Sequence, residues 1–328
     1  MTKIDIFSGF LGAGKTTLIK KLIAEAYRGE KLVLIENEFG EINIDGGFLK
    51  ESGIEISEMS AGCICCSLVG DFGKALKEVA AQFHPDRILI EPSGVGKLSD
   101  VIVAVQNTVD EGEDLVLNSF VTVADATKVK VYMKNLGEFY NNQIESAGTI
   151  VLSRTQKLSQ EKLEAAVHLL QEKNPTAAIL TTPWDELDGT VILSAVEKVS
   201  LADEVLAEMR REHEEHEAEH EHEHEHEHEH EHEHHHHHAD DVFASWGRET
   251  PRVFSRSELE RILAALDSGE YGQILRAKGI VNGESGWLEF DYVPGEHEVR
   301  AGLADYTGRL CVIGAELSGD KLQALFGV

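Results

Sequence analysis

Apolar positions in the first two hundred residues recur in short blocks, each followed by a longer stretch with helical spacing. Ile4 and Ile6 alternate with their neighbours as a buried strand does, and Leu18, Leu22, Ile23 and Ala26 fall on one face of a helix over 17–27. Residues 31–35, 54–57, 87–90, 120–124 and 149–152 read as further strands. Residues 68–83 and 160–173 read as helices, the second with Leu163, Val167 and Leu170 on one side. Strands that alternate with helices through about residue 200 predict an α/β fold, a mainly parallel sheet with helices on both faces.

The pattern stops at 212–238, where Glu and His alternate and a run of five His ends the tract. Ala218 is its one apolar residue, too little to offset chain entropy, so disorder is expected without a ligand. Past Trp246 the pattern resumes. A strand over 253–255, a helix over 257–266 with Ser257 as N-cap, a strand pair over 280–292, a strand over 310–313 and a closing helix over 322–326 predict a small α+β domain. The expected organisation is a nucleotide-binding domain over 1–205, an acidic His-rich linker over 206–245 and a C-terminal domain over 246–328.

The formal charge of −29 changes meaning once it is located. Seventeen acidic residues face two arginines between Asp203 and Asp241, so that segment holds −15 and the folded remainder −14. A moderately acidic fold disfavours nonspecific nucleic-acid or anionic-lipid binding, and no run of eighteen apolar residues offers a membrane span. The chain opens directly on a core strand without a charged leader, from which a cytoplasmic location is expected. Four cysteines, three of them within four positions, do not make a disulfide framework, and Cys311 in an apolar strand reads as core filling.

Residues 9–17 read Gly-Phe-Leu-Gly-Ala-Gly-Lys-Thr-Thr and satisfy the phosphate-loop spacing G-x-x-x-x-G-K-[ST]. Average composition yields that match roughly once in a hundred chains of this length, and a strand before it and a helix after it make chance rarer still. Gly9, Gly12, Ala13, Gly14, Lys15, Thr16 and Thr17 are therefore the expected phosphate-binding stretch, with backbone N–H groups as the cradle, Lys15 on the β/γ-phosphates and Thr16 on Mg²⁺. Glu91 and Gly94 follow an apolar strand in Glu91-Pro92-Ser93-Gly94. An acid there is placed to hold Mg²⁺ or its water, and Gly94 to offer an N–H to the γ-phosphate; a plain strand-ending turn is the other reading.

Cys63, Cys65 and Cys66 are soft ligands suited to Zn²⁺, and to Co²⁺ or Ni²⁺ where geometry selects them. Glu36 to Glu41, past a strand end, supply carboxylates, so Glu36 and Glu41 join the three cysteines as candidate metal ligands. The rival readings are a redox dithiol for the cysteines and a solvated acidic loop for the glutamates. His220, His222, His224, His226, His228, His230, His232 and His234 are auxiliary candidates, since a His-rich tract reads as metal binding on composition; a solubilising linker is the alternative.

Together, residues 9–17, 36–41, 62–66, 91–94 and 274–279 resemble the CobW family of metal-handling GTPases, relatives of the nickel-handling HypB and UreG proteins. The resemblance implies a P-loop NTPase fold, a slow GTPase using Mg²⁺ with GTP, and a transition-metal cargo passed to a client protein or cofactor pathway. One motif departs. The family's base-reading [NS]-K-x-D corresponds to Ser153-Arg154-Thr155-Gln156, and Gln156 offers one acceptor where a carboxylate offers two, which leaves ATP open beside GTP. A metal buffer and a thiol-regulated NTPase use the same residues without coupling nucleotide to metal.

Overall fold

The computed structural model describes residues 1–36, 55–58, 69–111, 114–197 and 244–328. They fall into two compact units, Met1–Lys198 and Val199–Val328.

The first unit is built on a seven-stranded sheet of β1 (Thr2–Ser8), β2 (Leu32–Glu36), β3 (Glu55–Glu58), β4 (Arg87–Glu91), β5 (Leu115–Asp125), β6 (Thr149–Ser153) and β7 (Ala178–Leu180). The spatial order is β3-β2-β4-β1-β5-β6-β7 with every pairing parallel. The chain runs outward from β1 to one edge, returns through β4, and only then builds the other half from β5. That reversal places the carboxyl end of β1 at the crevice where open α/β sheets bind ligands.

Among the described residues this unit carries seven α-helices: α1 (Lys15–Glu25), α2 (Val69–Phe83), α3 (Leu98–Asp110), α4 (Val129–Asn135), α5 (Gly137–Glu145), α6 (Gln160–Lys173) and α7 (Gly189–Val196). Period-two alternation sorts the strand residues between two cores. Ile4, Ile6, Val33, Ile35, Ile88 and Ile90 pack with α2, α3, α5 and α6 through Leu76, Val101, Ile144 and Val167. Phe7, Leu34, Leu89, Val123 and Val151 are equally buried outside that cluster, on the face where α1 contacts α7. Both faces are covered, as the near-continuous apolar strands require.

A cluster of buried charge ties β1 to β4. Asp5, fully buried, pairs with Arg87 and accepts hydrogen bonds from Ser119 Oγ (2.6 Å) and Asn118 Nδ2 (2.7 Å). Arg87 also reaches Glu30 (2.7 Å) and Glu197 (3.2 Å), and its guanidinium lies 4.5 Å from the centre of the Tyr27 ring.

The second unit is an antiparallel sheet in the order β12-β11-β10-β13-β8, from β8 (Ala244–Thr250), β10 (Gln273–Gly283), β11 (Leu288–Val293), β12 (Glu296–Ala301) and β13 (Gly308–Ala315), with β9 (Val253–Phe254) paired parallel to β10. Helices α8 (Arg256–Ala265) and α9 (Gly319–Phe326) close it, and Phe326 stacks between Trp246 (5.7 Å) and Phe290 (6.3 Å). Cys311 is buried in β13, as its apolar neighbours predict.

Two expectations change here, and β12 was not among the predicted strands. The N-cap of α8 is Ser255, not Ser257: Ser255 Oγ accepts from Glu258 N–H at 3.1 Å, and a start at Arg256 aims Leu259, Ile262 and Leu263 at the core. Strand β10 begins seven residues before 280, because a register shift between Ile274 and Arg276 breaks the alternation that marks a strand. Strand β12 carries no apolar alternation since only Val299 of its six residues is buried, as on an edge.

Candidate nucleotide site

The loop between β1 and α1 takes its shape from its glycines. Gly9 has φ 142°, and a Cβ there would lie 2.3 Å from the carbonyl oxygen of Val123 in β5. No side chain fits. Gly14 (φ 109°) is the N-cap of α1 and makes no side-chain cap, so the first-turn amides are turned toward the loop, the arrangement that receives an anion. Phe10 anchors the loop by packing on Tyr132 (5.1 Å) and Tyr140 (6.3 Å). Burial, with Asp125 and Tyr132 close by, pushes the Tyr140 phenol well above its ordinary pKa.

Lys15, buried, donates from Nζ to the Gly9 carbonyl at 3.0 Å and stands 3.9 Å from Glu91 Oε1. Thr16 Oγ1 donates to the same carboxylate at 3.1 Å. Hydroxyl and carboxylate oxygens at the end of a strand are the hard donors that Mg²⁺ takes, so this pair fits that cation. Glu36 is buried and pairs in register with Glu91 at the ends of β2 and β4. Gly94 lies against the loop, since a Cβ there would sit 2.9 Å from Leu11 N and 3.2 Å from Gly9 O. Thr17 is exposed on the first turn of α1.

The expected base-reading residues follow β6. Ser153 Oγ donates to Ala13 O at 2.7 Å, which turns it to the phosphate loop. Arg154, in a left-handed conformation (φ 60°), bridges Asp125 (2.7 Å) and Gly12 O (2.8 Å). Gln156 is exposed on a single 3-10 turn, Thr155–Lys157. Two residues here went unread from the sequence. Asp125 ends its strand as the partner of Arg154, and Trp184 donates to Leu152 O (3.0 Å) with its ring over Gly14 (3.3 Å to the place of a Cβ). A strand-ending acid and a Pro-Trp step were the only local signals.

Cys63, Cys65, Cys66, Glu41 and the histidines His220 to His234 lie outside the described residues. Among the described residues no three His, Cys, Asp or Glu side chains gather as a metal site. No helix among them is long and apolar enough to cross a membrane.

The model described as CobW/HypB/UreG, nucleotide-binding domain matches residues 3–181, and that described as the cobalamin synthesis protein cobW C-terminal domain matches residues 243–328. This chain belongs to the CobW/HypB/UreG family. The CobW-type chain is 29% identical over 192 residues to the zinc chaperone YeiR of Escherichia coli K12, 58% of each chain, and 34% identical over 188 residues to the zinc chaperone CobW of a Sinorhizobium species, 49% of this chain and 52% of the relative. It spans a little over half the length of these curated relatives. The Zn(II)-bound YjiA GTPase of E. coli aligns over 99% of this chain and 98% of its own, at 21% identity and a TM-score of 0.45. The resemblance drawn from residues 9–17 and 274–279 is thus borne out in both halves of this CobW-family chain, and so is the parallel α/β fold with its separate C-terminal domain.

Proposed function

We propose that this chain is a nucleoside-triphosphate-dependent metallochaperone, one that hydrolyses GTP slowly and passes a transition metal, zinc first, to a client metalloprotein or cofactor pathway. The observation that carries it is the convergence of Lys15, Thr16 and Glu91 beside Gly94, with Glu36 in register next to Glu91. The phosphate chemistry and a candidate metal ligand share one edge of the sheet. The names of the relatives, zinc chaperones and a zinc-regulated GTPase metalloprotein activator of Dictyostelium discoideum, support zinc as cargo.

In this reading Lys15 leaves the Gly9 carbonyl for the β/γ-phosphates, and the amides of Gly12, Ala13 and Gly14 enclose them. Thr16 and Glu91 would hold Mg²⁺, which would neutralise phosphate charge there. Gly94 offers its N–H to the γ-phosphate. Ser153, Arg154 and Gln156 border the base, and Thr17 closes the phosphate loop. Cys63, Cys65, Cys66, Glu36 and Glu41 would hold the cargo, and the tract His220 to His234 would gather it. Residues 1–205, 206–245 and 246–328 divide these tasks, with a cytoplasmic location.

The test is the affinity for Zn²⁺, Co²⁺ and Ni²⁺ with a nonhydrolysable triphosphate and with the diphosphate. Coupling of about 1–3 kcal/mol makes a working switch and must be reciprocal. Equal affinities in the two states would leave a GTPase that merely binds metal.

A further inference from the structure

Helix α5 grips the loop after β4 through three side chains. Gln143, fully buried, donates from Nε2 to the carbonyl oxygens of Gly94 (3.1 Å) and Gly96 (2.8 Å). Asn142 accepts from the Ser99 N–H (3.2 Å) and donates to Ser99 Oγ (3.0 Å). Glu138 pairs with Lys97 at 2.5 Å. Ser99 lies in the first turn of α3, whose own N-cap Lys97 makes no side-chain cap, so Asn142 supplies from another helix the acceptor that turn lacks. The helix is itself tied to β5, because Thr122 Oγ1 donates to the Gln143 carbonyl at 2.6 Å.

Gln143 is a costly choice for core filling. Both N–H donors of its amide go to the loop, while Oε1 is buried with no hydrogen-bond partner among the described residues. An apolar side chain of similar volume would avoid that loss, so packing alone does not account for the residue. What the two bonds accomplish is local. They hold the Gly94–Val95 and Gly96–Lys97 peptide planes, and Gly94 is the residue pressed against Leu11 and Gly9 of the phosphate loop.

We propose that Gln143 is a positioning residue for the triphosphate state: it keeps the Gly94 loop ordered before nucleotide arrives, so that the Gly94 N–H meets the terminal phosphate without a further ordering cost. This rests on the nucleotide function proposed above. A diphosphate does not extend to Gly94, so its affinity is independent of Gln143. The triphosphate senses the helix; the diphosphate does not.

The experiment is titration of the full chain and of Gln143→Met, with Mg²⁺, against GDP and a nonhydrolysable GTP analogue. Methionine keeps the volume and removes both donors. Loss of two hydrogen bonds to the loop is expected to weaken the triphosphate about tenfold or more and leave the diphosphate within about twofold. An equal fall for both nucleotides, or no change in either, would overturn the proposal. Should Gln143→Met not fold, Asn142→Ala carries the same test, with a smaller change in the triphosphate-to-diphosphate ratio expected and an unchanged ratio overturning it. Binding of neither nucleotide by the unaltered chain would instead remove the nucleotide function itself.

Discussion

Thr16 and Glu91 are 75 positions apart in the chain and their side chains meet at 3.1 Å, which joins the first turn of α1 to the end of β4. In the proposed function these two oxygen donors would hold Mg²⁺. Replacing Glu91 by Gln keeps the size and removes the charge. Nucleotide binding should persist while steady-state phosphate release falls roughly a hundredfold, as for loss of one electrostatic group at a transferring phosphoryl. Phosphate release at the parent rate would take Glu91 out of the mechanism.

Arg154 links two elements of the site, so Arg154→Ala should weaken both nucleotide states alike. The loss of its bonds to Asp125 and Gly12 is expected to cost about tenfold in GDP and GTP affinity. That parallel fall separates Arg154 from Gln143, whose loss is selective for the triphosphate.

Gln156 stands where a base-reading carboxylate is expected, and a single carboxylate accepts both guanine donors. Gln156→Asp should raise the preference for GTP over ATP by about ten- to a hundredfold in competition binding, the worth of one charge-assisted bond. An unchanged ratio would place base recognition elsewhere.

Arg87→Met removes the buried cation that faces Asp5 and leaves that carboxylate uncompensated. Breaking a buried pair from one side costs about 3–5 kcal/mol, read as a lower urea midpoint at pH 7.

Glu197 adds a pH signature. Burial works to raise its pKa, but hydrogen bonds from Lys3, Asn118 and Arg87 outweigh it and hold the carboxyl below its ordinary value. A depressed folded-state pKa means that stabilisation is complete above the ordinary glutamate range, near pH 4.3, and is lost as pH falls through the lower folded value. Urea midpoints between pH 6 and pH 3 should drop less in Glu197→Gln than in the parent, the parent being the more stable at pH 6. Identical pH slopes would count against the linkage.

Much of the phosphate site was legible because its chemistry is local. Gly9, Gly14, Lys15 and Thr16 lie in backbone turns and a helix start that adjacent residues determine, so spacing alone marks them as the expected phosphate-binding residues. Glu91 was legible for a related reason, as an acid ending an apolar strand. The nearness of Glu36 to Glu91 was not, because it depends on β4 inserting between β2 and β1, an order that strand periodicity does not encode.

The sequence by itself determined the strand and helix alternation, the phosphate-loop spacing and the family, since each is written in residues close together along the chain. Only the tertiary structure decided that α5 holds Gly94, that Arg154 joins Asp125 to Gly12, and that Asp5 and Arg87 share a buried pocket. Those are long-range contacts between polar side chains. Hydrophobic period says which face a residue occupies, and it is blind to which distant donor and acceptor the folded sheet brings within hydrogen-bonding distance.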